Sequence, residues 1–374
     1  MDSRVELTHL SDIDMRGLAD VSADRDVFLT VYLPTASRGD REMNASFLRS
    51  RVEAIRTALS GDIEEDFNRT FAAVEELLHH DPVPGERGRV VFASAPVGFM
   101  ETYRLGVQVE RTLVLDNSPF ILPLAKLMDD HEAYGILLMD SREAHLYLVQ
   151  AAAIERVEST SIDLMNRHKK GGMSQKRFNR LRRGQIKAFI GEILDDLDRL
   201  DDKGSLRGLV VAGPGEVKVQ LVDALPQRYS DMVLGTVDLD MDVRHTELLA
   251  RGDELARADE VSDEAAAVEG LRRAIFKDEL ATVGVAKTMK ALVQGRVATL
   301  LLEDDLSVRG WICESCKALA EGPGECAECG SAVSSAELVN ELVEMAHKTD
   351  AAVQVVAESP FLDSIGGVGA ILRY

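Results

Sequence analysis

All four cysteines of the chain lie between Cys313 and Cys329. They form two Cys-x-x-Cys pairs, Cys313/Cys316 and Cys326/Cys329, with nine residues between them. Thiolates at this spacing close two short loops that can meet around one tetrahedral Zn2+. Gly324 and Gly330 give those loops the backbone freedom to turn. Disulfide pairing is the competing reading, disfavoured for a chain expected in a reducing compartment. Closed thiolate sites are mostly structural, so the zinc is expected to staple a fold rather than to react.

A second constellation lies at residues 164–191, which contain no acidic side chain although the chain's formal net charge is −21. From Arg167 to Lys187 stand nine of the 43 Lys and Arg residues, including Lys169, Lys170, Lys176, Arg177, Arg180 and Arg183. Gly171 and Gly172 head the segment and permit close backbone approach to a crowded target. Local basicity on an acidic chain points to a negatively charged partner, RNA first. The competing reading is a solvated face of a basic helix. The amide of Gln175 is both a donor and an acceptor, whereas the thioether of Met173 is only a weak acceptor.

The elements that must position these residues read as three α/β domains, at 1–128, 129–262 and 263–374, the third carrying the zinc ribbon. In the first, residues 26–33 form a strand stopped by Pro34, and 42–59 and 62–80 form amphipathic helices. Residues 90–93 and 113–115 are further strands. His79-His80 reads as a solvated helix end rather than a metal pair. In the second, 134–140 and 144–149 form a hairpin ahead of the basic segment. Phe189, Ile190, Ile193, Leu194, Leu197 and Leu200 give the following helix its buried stripe. Residues 209–215 and 233–239 bring further strands, and a charged helix covers 243–262. In the third, 287–294 is helical, 297–302 is a strand, 335–348 is a helix, and 352–356 and 370–373 are strands. The glycines of 366–369 form a tight turn, and with no helix after them they do not make a phosphate cradle.

At 45% hydrophobic residues the chain has the composition of a folded protein. No basic head followed by an apolar run opens it, and no apolar stretch is long enough to span a bilayer. A cytoplasmic protein without membrane contact is expected. The overall acidity argues against nonspecific coating of nucleic acid.

The order of these features resembles the archaeal and eukaryotic class-1 peptide-chain release factors and, more closely, their bacterial and archaeal relatives. Residues 171–182 resemble the family's Gly-Gly-Gln-Ser loop and basic helix. Residues 291–302 resemble the start of its third domain, and Cys313–Cys329 with Gly366–Tyr374 resemble that domain's mini-ribbon and last strand. Residues 1–128 correspond by position alone. The resemblance implies a ribosome partner, contacted at the rRNA of the A site, and a loop of Lys169, Lys170, Gly171, Gly172, Met173, Ser174, Lys176, Arg177, Arg180 and Arg183 against RNA. A GTPase of the elongation factor Tu type is the second implied partner.

Two departures shape the expected function. Met173 stands where the family has its release glutamine, and residues 1–128 contain no Asn-Ile-Lys-Ser decoding motif. Both losses are shared with Balon-like hibernation factors, which implies docking in the A site without stop-codon decoding. Gln175, two residues later, resembles the Gly-Gly-x-Ser-Gln form of a branch acting on stalled peptidyl-tRNA. That leaves a rescue peptidyl-tRNA hydrolase or tRNA-cleaving factor as one alternative. A zinc-ribbon nucleic-acid-binding protein is the other, opposed by Glu314, Glu321, Glu325 and Glu328 around the ribbon.

Overall fold

The computed structural model describes residues 7–150, 153–161, 188–201, 206–277, 280–313 and 315–374. They form a mixed α/β fold with four sheets. Two compact units are present: residues through Asp130 join Asp263–Tyr374 in one, and His131–Ser262 make the other.

In the N-terminal part, helix α1 (Met15–Asp20) precedes strand β1 (Phe28–Pro34). Every residue of β1 is buried, as an aromatic and β-branched run between two neighbouring strands requires. Helices α2 (Arg38–Ala58) and α3 (Asp62–Leu78) follow. A capping box starts α2: the Asp40 N–H donates to the Ser37 hydroxyl and the Ser37 N–H to the Asp40 carboxylate, each at 3.0 Å. The helix therefore begins ahead of residue 42, where its apolar spacing becomes visible. Val52, Phe67, Phe71 and Val74 pack on Leu29, Val31 and Leu33.

Strands β2 (Gly88–Ser94), β3 (Phe99–Leu105) and β4 (Thr112–Asp116) complete an antiparallel sheet in the order β3-β2-β1-β4. The edge strand β3 is exposed or half-exposed up to Arg104, so no apolar run marks it in the sequence. His79 and His80 are exposed where α3 ends. Helix α4 (Leu122–Asp130) closes this part.

The middle unit is a five-stranded sheet ordered β7-β6-β5-β8-β9, from β5 (Tyr134–Met139), β6 (Glu143–Gln150), β7 (Ala153–Ser161), β8 (Gly208–Ala212) and β9 (Val233–Val237). β5 to β7 pair antiparallel, whereas β8 runs parallel to both β5 and β9. Helix α5, over 188–200, packs on one face through Phe189, Ile193 and Leu197. Two short helices, α6 (Val217–Val222) and α7 (Gln227–Ser230), lie between β8 and β9 in the chain. Helix α8 (His245–Phe276) contributes Leu248 to the other face. It runs past residue 262 to Phe276, with Leu271 and Ala274 buried near its C-terminal end.

Gly213 follows β8; its φ is 146° and a Cβ would stand 1.8 Å from the Met139 carbonyl oxygen. Neither the backbone angle nor the space admits a side chain. Gly213→Ala is expected to destabilise this unit by about 3 kcal/mol, read as a lower urea midpoint for its unfolding.

In the C-terminal part, β10 (Ala281–Val283), helix α9 (Val285–Val293) and β11 (Val297–Glu303) lead into a small ribbon. The ribbon strands are β12 (Arg309–Cys313), β13 (Leu319–Ala320), β14 (Gly324–Glu325) and β15 (Ala332–Glu337), in the order β13-β12-β15-β14. Helix α10 (Leu338–Lys348), β16 (Ala352–Val356), α11 (Pro360–Ser364) and β17 (Val368–Leu372) complete the chain. The larger sheet has the order β10-β17-β11-β16, with β11 and β16 parallel. Among the described residues, no helix is long and apolar enough to cross a membrane.

Candidate metal centre

The ribbon brings Cys313, Cys316, Cys326 and Cys329 together as free thiols whose sulfurs all lie within 4.8 Å of one another. Cys313 Sγ is 3.4 Å from Cys329 Sγ, and Cys316 Sγ is 3.6 Å from Cys326 Sγ. A tetrahedral zinc with Zn–S bonds of about 2.3 Å needs sulfur–sulfur edges of about 3.8 Å. The cluster therefore matches a ZnS4 site in donor type, count and size.

Two loops of the same backbone plan build it. In the first, the Lys317 N–H donates to the Cys313 carbonyl at 3.0 Å and the Cys313 N–H to the Ala318 carbonyl at 2.9 Å. In the second, Gly330 donates to Cys326 at 2.8 Å and Cys326 to Ser331 at 2.8 Å. The residue after each second cysteine sits in the left-handed region, Gly330 at φ 76° and Lys317 at φ 55°. Sequence reading identifies Gly330 but not Lys317, since a lysine carries no signal for that conformation.

The sulfurs are electrostatically unequal. Donation from the Ser331 hydroxyl and N–H pulls the Cys329 thiol down to about 6. Cys316 receives the Ala318 N–H, which favours its thiolate, yet burial and the three neighbouring thiols push it up to about 12. Four thiolates at this spacing need a cation among them to be charged together. The donor set thus fits the metal that the spacing implies.

A buried polar cluster on α10 adjoins the ribbon. The Lys317 ammonium stands 2.9 Å from Glu341 Oε2, with both side chains largely buried. Asn340 Oδ1 accepts the N–H groups of Ile121 at 2.9 Å and Leu122 at 3.0 Å. Its amide donates to Glu344 Oε1 at 2.8 Å, and the Ser118 hydroxyl donates to the same oxygen at 2.7 Å. Burial, with the charge of Glu341 adding to it, pushes Glu344 up to about 8. This cluster fastens residues 118–122 to α10. Sequence reading misses it, because Asn340, Glu341 and Glu344 look like the wet face of an amphipathic helix.

Gln175 and the loop residues Lys169, Lys170, Gly171, Gly172, Met173, Ser174, Lys176, Arg177, Arg180 and Arg183 lie outside the described residues. The elements on either side of them in the chain are β7 and α5.

Residues 119–257 match the family described as Bacterial archaeo-eukaryotic release factor family 10, and residues 261–374 match eRF1 domain 3. The chain belongs to an archaeal/eukaryotic release-factor-like family. It is 28% identical to peptide chain release factor subunit 1 of Pyrococcus abyssi over 286 aligned positions, covering 67% of this chain and 69% of that protein. With the protein of the same name from Methanocaldococcus jannaschii it shares 27% identity over 393 positions, 92% of each chain. That of Methanopyrus kandleri is 33% identical over 208 positions, 53% of this chain and 50% of the relative. Among solved structures, the archaeal translation termination factor aRF1 aligns over 97% of this chain and 99% of its own, at 22% identity and a TM-score of 0.29. Ribosome-bound archaeal Pelota, solved with ABCE1, aligns over 77% of each chain at 20% identity and a TM-score of 0.44.

Proposed function

We propose that the chain is a ribosome-binding protein of three domains, 1–128, 129–262 and 263–374, that occupies the A site without decoding a stop codon. In this reading it is a cytoplasmic hibernation factor, delivered or accompanied by a GTPase of the elongation factor Tu type. The observation that carries it is Met173, which stands in Gly171-Gly172-Met173 where the family has its release glutamine. A thioether cannot donate a hydrogen bond to water or to the ester. The family match over 119–374 supports the ribosome as target, and the missing decoding motif in 1–128 removes the stop codon as the signal.

Zn2+ held by Cys313, Cys316, Cys326 and Cys329 has a structural role in this reading. Bound there, the metal supplies a charge-neutralising cross-link and no reaction chemistry. The second reading, a rescue peptidyl-tRNA hydrolase, rests on Gln175, whose amide could orient a water while the Gly171 and Gly172 N–H groups hold an oxyanion.

Ribosomes carrying labelled peptidyl-tRNA separate the two. Under the hibernation reading the wild type releases no peptide, protects idle ribosomes from inactivation, and gains release with Met173→Gln. Fast release that Gln175→Ala abolishes would establish the hydrolase instead.

Binding itself is expected to depend steeply on salt. Neutralising Lys169, Lys170, Arg177, Arg180 and Arg183 should flatten the plot of log affinity against log salt by roughly 0.7 to 0.9 per lost phosphate contact. An unchanged slope in a ribosome pelleting titration would take this segment out of the interface.

A further inference from the structure

Lys317 combines two roles that no other residue of the ribbon combines among the described contacts. Its backbone closes the first cysteine loop in the left-handed conformation, at φ 55°. The equivalent position of the second loop is glycine, the residue that conformation favours. A lysine is strained there, and its side chain reaches out of the loop to Glu341 on α10 at 2.9 Å. The Glu341 side chain is only 3% exposed.

Glu341 in turn adjoins the residues that grip the N-terminal part. Asn340 holds the first N–H groups of α4 through Ile121 and Leu122, and Glu344 takes the hydroxyl of Ser118. Removing the ammonium would leave the buried Glu341 carboxylate without its cation. Such a charge is relieved by admitting water, which here means opening the contact between α10 and residues 118–122.

We propose that the metal loop and this contact form one coupled device, with the Lys317–Glu341 pair as the link, so that loss of the metal loosens the attachment of the N-terminal part. The metal holds Cys313 and Cys316, these fix the strained backbone of Lys317, and that backbone aims the ammonium at Glu341. The proposal rests on the four thiols binding metal. It adds that the site's occupancy sets how tightly residues 118–122 are held.

The test is amide hydrogen exchange on the full-length protein, with metal content measured on every sample. Lys317→Gly suits the left-handed position and leaves all four thiols in place, so it should retain its metal. The Ile121 and Leu122 amides are nevertheless expected to exchange at least tenfold faster than in the wild type, while those of β11 keep their protection. Chelation of the wild type should produce the same acceleration at Ile121 and Leu122, and chelation of Lys317→Gly should add little. Adding Glu341→Gln removes the stranded charge and should restore slow exchange in both cases.

Wild-type rates at Ile121 and Leu122 in metal-loaded Lys317→Gly would overturn the link. Should chelation melt the whole C-terminal part, β11 would lose protection as well. The metal-loaded Lys317→Gly variant and its rescue by Glu341→Gln then decide. Wild-type protein that binds no metal would overturn the proposal together with the metal reading; a metal-loaded wild type with unaltered Ile121 and Leu122 exchange after chelation would overturn the coupling alone.

Discussion

Cys313→Ser is expected to reduce bound zinc from one per chain by tenfold or more, and to unfold the ribbon from β12 to β15. A serine hydroxyl is a far poorer zinc ligand than a thiolate at neutral pH. The ribbon has little else to hold it. Strands β13 and β14 are two residues each, and β14 is exposed along its length. Metal binding and folding of such a small module are one event, worth roughly 10 kcal/mol or more for comparable zinc modules.

The chain's single tryptophan, Trp311, lies in β12 two residues before Cys313 and reports the change by fluorescence. The expected result is a red-shifted Trp311 emission in Cys313→Ser, matched by chelator-treated wild type. Full metal content in Cys313→Ser, with unaltered Trp311 emission, would show that the site is not the tetrahedral thiolate centre described above.

These cysteines were legible in the sequence because ligand spacing is a local property. The same holds for β1, a continuous aromatic and β-branched run, and for α3, whose apolar residues recur at helical spacing. Where the sequence was silent, the cause lies in distant partners, in an edge, or in a polar cap that carries no apolar signal. β3 is an edge strand with a wet face, so no apolar pattern marks it. The beginning of α2 depends on the Ser37–Asp40 cap rather than on an apolar residue. The largest gap concerns α10. Asn340 and Glu344 find their partners in Ile121 and Ser118, 219 and 226 residues away in the chain. No periodicity in 335–348 distinguishes a polar side chain that meets water from one that meets a distant loop. Lys317 is hidden for a related reason, since its conformation and its ion pair are both consequences of the assembled ribbon.

The cluster on α10 also carries a measurable pH dependence. Glu344 has both carboxylate-facing donors, Ser118 and Asn340, on Oε1. Burial first, and then the charge of Glu341, push it up from 4.5 to about 8, with the Ser118 bond, Lys348 and Lys317 opposing. Lys348 stands 3.8 Å from Oε2, too far for a hydrogen bond. An acid whose folded value is raised stabilises the fold fully below its unfolded value, and that contribution fades as pH rises through the folded one. Stability should therefore decline between about pH 4.5 and 8 and level off above it. At about 1.4 kcal/mol per pH unit the span corresponds to roughly 5 kcal/mol, which water entry beside the charged form reduces.

Glu344→Gln keeps the acceptor oxygen and removes the titration. At pH 9 this variant is expected to exceed the wild type by about 2–4 kcal/mol, whereas at pH 5 the two should be close. Urea unfolding of the unit containing α10 at both pH values checks the expectation. A Gln variant less stable than wild type at pH 9 would mean that Glu344 is charged in the fold, held by Ser118, Asn340 and Lys348 together, and that burial there is offset by those partners.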